Sequence, residues 1–368
     1  MKIGILTQPL GRNYGGVLQN WALQQVLADM GHEPVTLRLR ELPRRKTLYY
    51  AVDAELRYYL KKVFRLPAHD VEIRQRKLLL PYHEIMRFVD SRVAMTKWLG
   101  GPTENELSAY GFDAYVVGSD QVWRPIYNRN NMEAMFCSFL SADNPAGRVA
   151  YAASFGVDEW EYSDTQTRKI ADWLSCFSAV SVREQSGVNL CKIHLGIDVT
   201  HVFDPALLLD SDRYIGLINE YPECKLPEKP FAAVYILDDN ESVSRKVNNL
   251  CTALNLERYD IGSRRDGKYP SVENWLAGIS GASYVITDSF HGTAFSLIFH
   301  KPFVILENST RGNDRILSLL NAVGAKDRLI GGDVIELPVS ATTDWDAITA
   351  KMSSWRKRSV DFLKNALK

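Results

Sequence analysis

An excess of charge of either sign is absent from this chain, in which 44 basic and 44 acidic side chains cancel. Without a global positive field there is nothing to gather phosphates along a polymer, so nucleic acid is not an expected partner. Cysteine is scarce: Cys137, Cys176, Cys191, Cys224 and Cys251 are odd in number and never in CxxC spacing. That pattern argues against a disulfide framework and a zinc site, and reads as buried thiols in a reducing compartment. The histidines stand apart from one another, with no HxxxH or HExxH pair, so no metal held by dedicated ligands is expected. No GxSxG elbow occurs, which argues against an α/β hydrolase. The longest clearly apolar run, 231–237, falls far short of the ~20 residues that span a bilayer. Met1 leads directly into the apolar residues 3–6 with no signal-peptide pattern, and the expectation is a soluble cytoplasmic protein.

What is present is alternation. Short β-rich runs at 2–7, 34–39, 113–118, 147–153, 178–182, 200–203, 231–237, 257–261, 283–287 and 303–306 take turns with helical patterns at 16–30, 163–175, 184–193, 241–254, 271–280, 292–299 and 313–322. This is the signature of an α/β fold with parallel sheets covered on both faces. At 368 residues the chain exceeds the ~250–300 at which one core stops growing, so two domains with a cleft between them are expected. The rhythm breaks at 210–230, where Asp210-Ser211-Asp212 and a proline-bearing stretch intervene. The boundary is therefore set at 215, giving domains 1–215 and 216–343, with a helix over 344–368 returning to the first. Within the first, 40–100 reads as a basic helical insert. From Arg38 to Arg65 nine basic residues face three acidic ones, interleaved with tyrosines. The plain reading is a solvated helical face with an aromatic underside; the sharper one is a peripheral surface, at the inner face of a membrane, that meets a membrane-borne or pyrophosphate-bearing acceptor.

Four strand ends carry polar motifs. The first strand runs through Gly11-Arg12-Asn13-Tyr14-Gly15-Gly16 into a helix. Such a turn can bring backbone amides to an anion, yet it lacks the dinucleotide and P-loop spacings, and alone reads as plain punctuation. After 113–118 comes Gly118-Ser119-Asp120-Gln121-Val122-Trp123. Polar groups beyond the carboxyl end of a parallel strand face the ligand crevice, so Asp120 is a candidate base or hydroxyl-binding carboxylate, with simple capping by Ser119 or Asp120 the alternative. Arg183 follows strand 178–182 and can aim a planar fork at a carboxylate or phosphate, unless Glu184 pairs elsewhere and leaves it on the surface. The strongest local signal is Tyr284-Val285-Ile286-Thr287-Asp288-Ser289-Phe290-His291-Gly292-Thr293. Asp288 or Ser289 can cap the helix, Gly292 permits close approach, and His291 sits at the amide-rich end, where it can donate to a phosphate or act as acid or base.

Taken together, the blocks 1–27, FDAYVVGSDQVWRP, SVREQSGVNL, FDPALLL and YVITDSFHGTAFSLIFHKPFVIL resemble, in order and spacing, those of the polysaccharide pyruvyl transferase family. The resemblance runs from residue 2 to about 325, and departs from the family most in 40–100 and 210–230. It implies two Rossmann-like domains facing a cleft, similar to the glycosyltransferase-B fold, with phosphoenolpyruvate as donor and no cofactor. The implied reaction puts a pyruvate ketal on two hydroxyls of a sugar during surface polysaccharide assembly, releasing phosphate. Arg183 and His291 would then lie at the donor site, with Ser289, Gly292, Thr293 and Arg311 or Arg315 adding positive field. Asn13, Tyr14, Gly15, Asp120 and Gln121 would line the acceptor side. His291 is the expected proton donor or phosphate contact, and Asp120 the group that orients or deprotonates the acceptor. The resemblance leaves the acceptor open between a nucleotide-linked and a lipid-linked sugar. The alternative enzyme on such a fold is a glycosyltransferase using a nucleotide sugar.

Overall fold

The computed structural model describes residues 1–39, 80–99, 101–128, 131–308, 312–331 and 343–368. Six parallel strands form the first sheet: β1 (Lys2–Leu6), β2 (Glu33–Thr36), β3 (Ala114–Val117), β4 (Gly147–Ala153), β5 (Ala179–Val182) and β6 (Thr200–His201), in the order β2-β1-β3-β4-β5-β6. Five more form the second: β7 (Phe231–Tyr235), β8 (Glu257–Asp260), β9 (Tyr284–Thr287), β10 (Phe303–Leu306) and β11 (Leu329–Ile330), in the order β11-β10-β9-β7-β8. This is an α/β architecture of two Rossmann-like domains, each built on a parallel sheet.

The central strands read as unbroken apolar runs because both of their faces are covered. AYVV of β3, FAAVY of β7 and FVIL of β10 are buried at every position. In each sheet the strand order reverses once, between β1 and β3 in the first and between β7 and β9 in the second. Ligands of open α/β sheets bind beyond the strand ends at that reversal. The turns at 7–13 and 118–120, and those at 236–240 and 288–291, are therefore the places to look.

The largest apolar core is not confined to either domain. Trp21, Tyr214 and Phe295 run through it in sequence, with ring centroids 5.7 and 4.9 Å apart, so the two sheets share buried surface rather than merely facing one another. Smaller cores lie on the outer faces, one around Trp123 and Phe136 and one around Val247 and Ile286. The C-terminal helix Trp345–Ala366 returns to the first sheet. Trp355 stacks on Phe203 at 5.3 Å, and the Ser359 hydroxyl accepts from Phe203 N at 2.9 Å.

The stretch at 210–230 holds more structure than its composition suggests. A helix spans Ser211–Asn219 with Asp210 at its N-cap, because Asp and Ser start helices as readily as they make turns. Tyr214 on that helix is fully buried and donates to Ala206 O at 2.8 Å. Residue 215 thus falls inside a helix that packs beside Val272–Ser280. In the basic insert, His83–Arg92 is helical; all of 40–79 lies outside the described residues. Arg38 pairs with Asp90 at 2.9 Å and sits over Trp98.

Candidate active site

The turn after β3 is built around close backbone approach. Gly118 has φ 123°, and a Cβ there would stand 2.0 Å from Tyr151 O, so no side chain fits. Ser119 Oγ is 2.8 Å from Ala152 O and 3.2 Å from Asp204 Oδ2. Asp120, at φ 71°, lies in the left-handed region and accepts Ser154 N on its carbonyl at 3.1 Å. Its side chain caps no helix and instead accepts Arg183 Nη2 at 3.1 Å. The neighbouring Gln121 accepts Gln8 Nε2 on its carbonyl at 2.9 Å, while its side-chain oxygen lies 3.4 Å from Arg124 Nη1.

Arg183, immediately after β5, is the hub of the site and is only 3% exposed. Nη1 donates to Asp204 Oδ2 at 2.7 Å and Nη2 to Asp120, while the guanidinium lies 4.5 Å from the Phe290 ring centroid. Burial works against its charge, but Asp120, Asp204 and Glu184 outweigh it and drive its pKa up. Glu184 does not leave Arg183 on the surface. It is fully buried, with Oε1 accepting Phe155 N at 2.9 Å and Oε2 3.9 Å from Arg183 Nε. For Glu184 burial prevails over Arg183, and its carboxyl holds its proton to higher pH than an exposed glutamate. Asp204 and Asp120 go the other way. Burial would raise both, yet His291 and then Arg183 hold Asp204 well below the carboxylate range, and Arg183 and then His291 hold Asp120 down.

The second sheet contributes one turn to the same place. After β9, Ser289 caps the helix Phe290–Ile298 by accepting Gly292 N, and Thr293 Oγ1 donates back to Ser289 O at 3.0 Å. A Cβ on Gly292 would lie 2.3 Å from Thr287 Oγ1, which explains the glycine. Asp288 does not cap. It accepts Leu237 N at 2.7 Å and Asn308 Nδ2 at 2.8 Å, fastening together the loops after β7 and β10. His291 is 6% exposed, with Nε2 3.7 Å from Asp204 Oδ2, an ion-pair separation rather than a hydrogen bond.

Across the interface, the helix Tyr14–Asp29 begins with Asn13 accepting Gly15 N at 2.9 Å. A Cβ on Gly15 would lie 2.0 Å from His291 Nδ1, so the glycine is what lets the imidazole reach the first domain. Tyr14 is buried between domains, stacked on Trp275 at 5.4 Å with its hydroxyl donating to Pro270 O at 2.8 Å. Asn13 stays exposed at the rim. The structure therefore brings Asp120, Arg183, His291, Ser289, Gly292, Thr293 and Gly15 together at one interdomain seam. Arg311 lies outside the described residues.

One participant escaped the sequence reading, and a second was named there only as an alternative to Arg311. Asp204 sits at the centre, sharing Oδ2 among Arg183, Ser119 and His291 while Oδ1 accepts Ala206 N at 3.0 Å. Its Asp-Pro sequence announces a cap, and it is one; nothing local announces the other oxygen. Arg315, on the first turn of Asp314–Val323, has its Nε buried without a hydrogen-bond partner and feels Arg183, Asp120 and Glu184. Among the described residues no group of three or more His, Cys, Asp or Glu side chains is arranged to hold a metal ion. No helix among them is long and apolar enough to cross a membrane.

A family model described as polysaccharide pyruvyl transferase matches residues 13–310. None of the curated proteins matches the chain. Among solved structures, UDP-GlcNAc 2-epimerase from Methanocaldococcus jannaschii is 10% identical, with 99% of this chain and 100% of that chain covered and a TM-score of 0.47. The MnaA–UDP structure from S. aureus is 11% identical over 98% of this chain and 90% of that one, with a TM-score of 0.49. A putative UDP-N-acetylglucosamine 2-epimerase from Listeria monocytogenes is 9% identical over 100% and 90%, with a TM-score of 0.47.

Proposed function

The chain belongs to the polysaccharide pyruvyl transferase family, and from that premise we propose that it moves the enolpyruvyl group of phosphoenolpyruvate onto two hydroxyls of a sugar, forming a pyruvate ketal and releasing phosphate. The observation that carries the proposal is the convergence of Arg183, His291 and Asp204 at the interdomain seam, where each belongs to a block of the family pattern.

The chemistry asks for a proton donor and for fixed positive charge. Protonation of the donor's methylene carbon builds cationic character at the adjacent carbon, which the first sugar hydroxyl attacks. Phosphate then leaves with the carbon–oxygen bond electrons, and the second hydroxyl closes the ketal. The two hydroxyl protons balance the reaction, one ending in the new methyl group and one on phosphate. His291 is the proposed proton donor, placed against the ionised Asp204, which would offset the charge of an imidazolium. Arg183 supplies a charge that does not titrate away, held rigid by Asp120 and Asp204. Ser289, Gly292 and Thr293 form the amide-rich helix start beside it.

On the acceptor side the proposal keeps Asn13 at the rim, with Gln121 and the buried Asp120 behind it and Tyr14 and Gly15 shaping the seam. Asp120 Oδ1 is engaged by Arg183, which leaves Oδ2 to orient or deprotonate a hydroxyl. No cofactor enters this scheme. A cytoplasmic setting fits it, and contact with a membrane through 38–65 would suit a lipid-linked acceptor. The test is phosphate release from phosphoenolpyruvate across a panel of glycosides, with mass spectrometry of the products. A glycoside-dependent ketal supports the proposal; glycosyl transfer from a nucleotide sugar, with phosphoenolpyruvate inert, refutes it.

A further inference from the structure

The seam contains two guanidinium groups that are treated in opposite ways. Arg183 has both terminal nitrogens engaged by carboxylates, Nη1 by Asp204 and Nη2 by Asp120. Arg315 has no carboxylate within ion-pairing distance among the described residues, and its Nε is buried with no hydrogen-bond partner. Burial and the like charge of Arg183 bring its pKa down to about 10, against the pull of Asp120 and Glu184. A half-buried guanidinium whose Nε makes no hydrogen bond, next to a second cation, is an unfavourable arrangement that an anion between them would relieve.

The surrounding charges leave room for such an anion. Asp120 and Asp204 are already paired with Arg183, and burial lets the Glu184 carboxyl hold its proton to higher pH than an exposed glutamate. Arg315 stands at the start of a helix next to Gly312, at φ 74°, whose nearest neighbour across the interface is Gly156 O. His291 Nε2 is likewise buried with no hydrogen-bond partner, as are Arg183 Nε and Glu184 Oε2. An arginine fork and an imidazole nitrogen are both donors suited to the oxygens of a phosphomonoester.

We propose that Arg315 is the residue that receives the donor's phosphate, making its contact while Arg183 remains bound to Asp120 and Asp204. Arg183 then supplies fixed positive charge for the donor's carboxylate, and Arg315 for the group that leaves. The assignment rests on the reading of phosphoenolpyruvate as donor.

The test is calorimetric titration of inorganic phosphate and of phosphoenolpyruvate into wild type, Arg315→Gln and Arg315→Lys. The expected result is that Arg315→Gln weakens both ligands by about tenfold or more, the equivalent of one charge-assisted hydrogen bond. Arg315→Lys should recover part of that loss, keeping the charge without the fork. The melting temperature of ligand-free Arg315→Gln should not fall below wild type, since the change removes a repulsion with Arg183. Inorganic phosphate binding equally well to wild type and Arg315→Gln would overturn the assignment. So would a loss confined to phosphoenolpyruvate, which would move Arg315 to the carboxylate. Wild type that binds neither probe but binds a nucleotide sugar would overturn the donor reading itself, an outcome separate from a defect seen only in the variants.

Discussion

Two turns occupy the same topological place in the two sheets, Gly118-Ser119-Asp120 after β3 and Thr287-Asp288-Ser289 after β9, and they use their aspartates for opposite ends. Asp120 turns into the seam and takes a hydrogen bond from Arg183. Asp288 turns into its own domain and takes Leu237 N and Asn308 Nδ2. In the first turn the serine is tied to Asp204 across the sheet, whereas in the second Ser289 caps the helix that carries His291. Position at a strand end is therefore insufficient to assign chemistry; what decides is whether the side chain is absorbed by local backbone donors. Asp288 meets two N–H groups of the adjacent loop within reach, and Asp120 meets a guanidinium instead.

The largest expected difference between the turns is in turnover. His291→Gln should lower kcat by about 10²- to 10⁴-fold, the usual contribution of a placed proton donor, with a melting temperature close to wild type; steady-state kinetics with the active acceptor checks both. Gly15→Ala sharpens the same point from across the interface. A methyl there would collide with His291 Nδ1, and kcat should fall by roughly 10²-fold through misplacement of the imidazole. Because alanine is the better helix former by about 1 kcal/mol, a variant that loses turnover without losing stability would separate positioning from folding.

Asp288→Asn should do the reverse of His291→Gln. Weakened acceptance of two loop N–H groups should cost about 1–3 kcal/mol of stability, read by chemical denaturation, while turnover stays within a few-fold of wild type. If turnover collapses and stability holds, the contrast between the two turns is wrong.

The smallest effect concerns pH and compares Glu184 with Asp204. Glu184 has a folded pKa raised by burial, so its stabilisation is complete below the ordinary glutamate value of about 4.3 and fades as pH rises through the folded value. Asp204 is depressed, so its contribution is present above about 3.9 and is lost as pH falls. Denaturation of Glu184→Gln should thus gain on wild type as pH rises from the glutamate range toward neutrality. A difference that shrinks over that range would contradict the assignment.

Much of this was legible in the sequence, and unevenly so. The central strands follow from apolar runs such as AYVV, FAAVY and FVIL, whose length and β-branching leave few alternatives. β11 has two residues, too few for any pattern. The helix Ser211–Asn219 was hidden because Asp210-Ser211-Asp212 signals turn and helix start alike. Within the site, Arg183 and His291 stood out through placement after buried-type strands. Asp204 did not, because its second role depends on three partners from distant segments, 21, 85 and 87 positions away. Arg315 looks in sequence like any exposed first-turn arginine, and only the packing of its helix against the first domain removes its Nε from solvent.

The most direct test of the donor site is calorimetric titration of the wild-type chain with phosphoenolpyruvate beside a panel of UDP-sugars, repeated on His291→Ala. The account predicts that phosphoenolpyruvate binds wild type, that the substitution weakens it severely, and that the UDP-sugars do not compete for the seam; binding of a UDP-sugar alone, unaffected by His291→Ala, would contradict it.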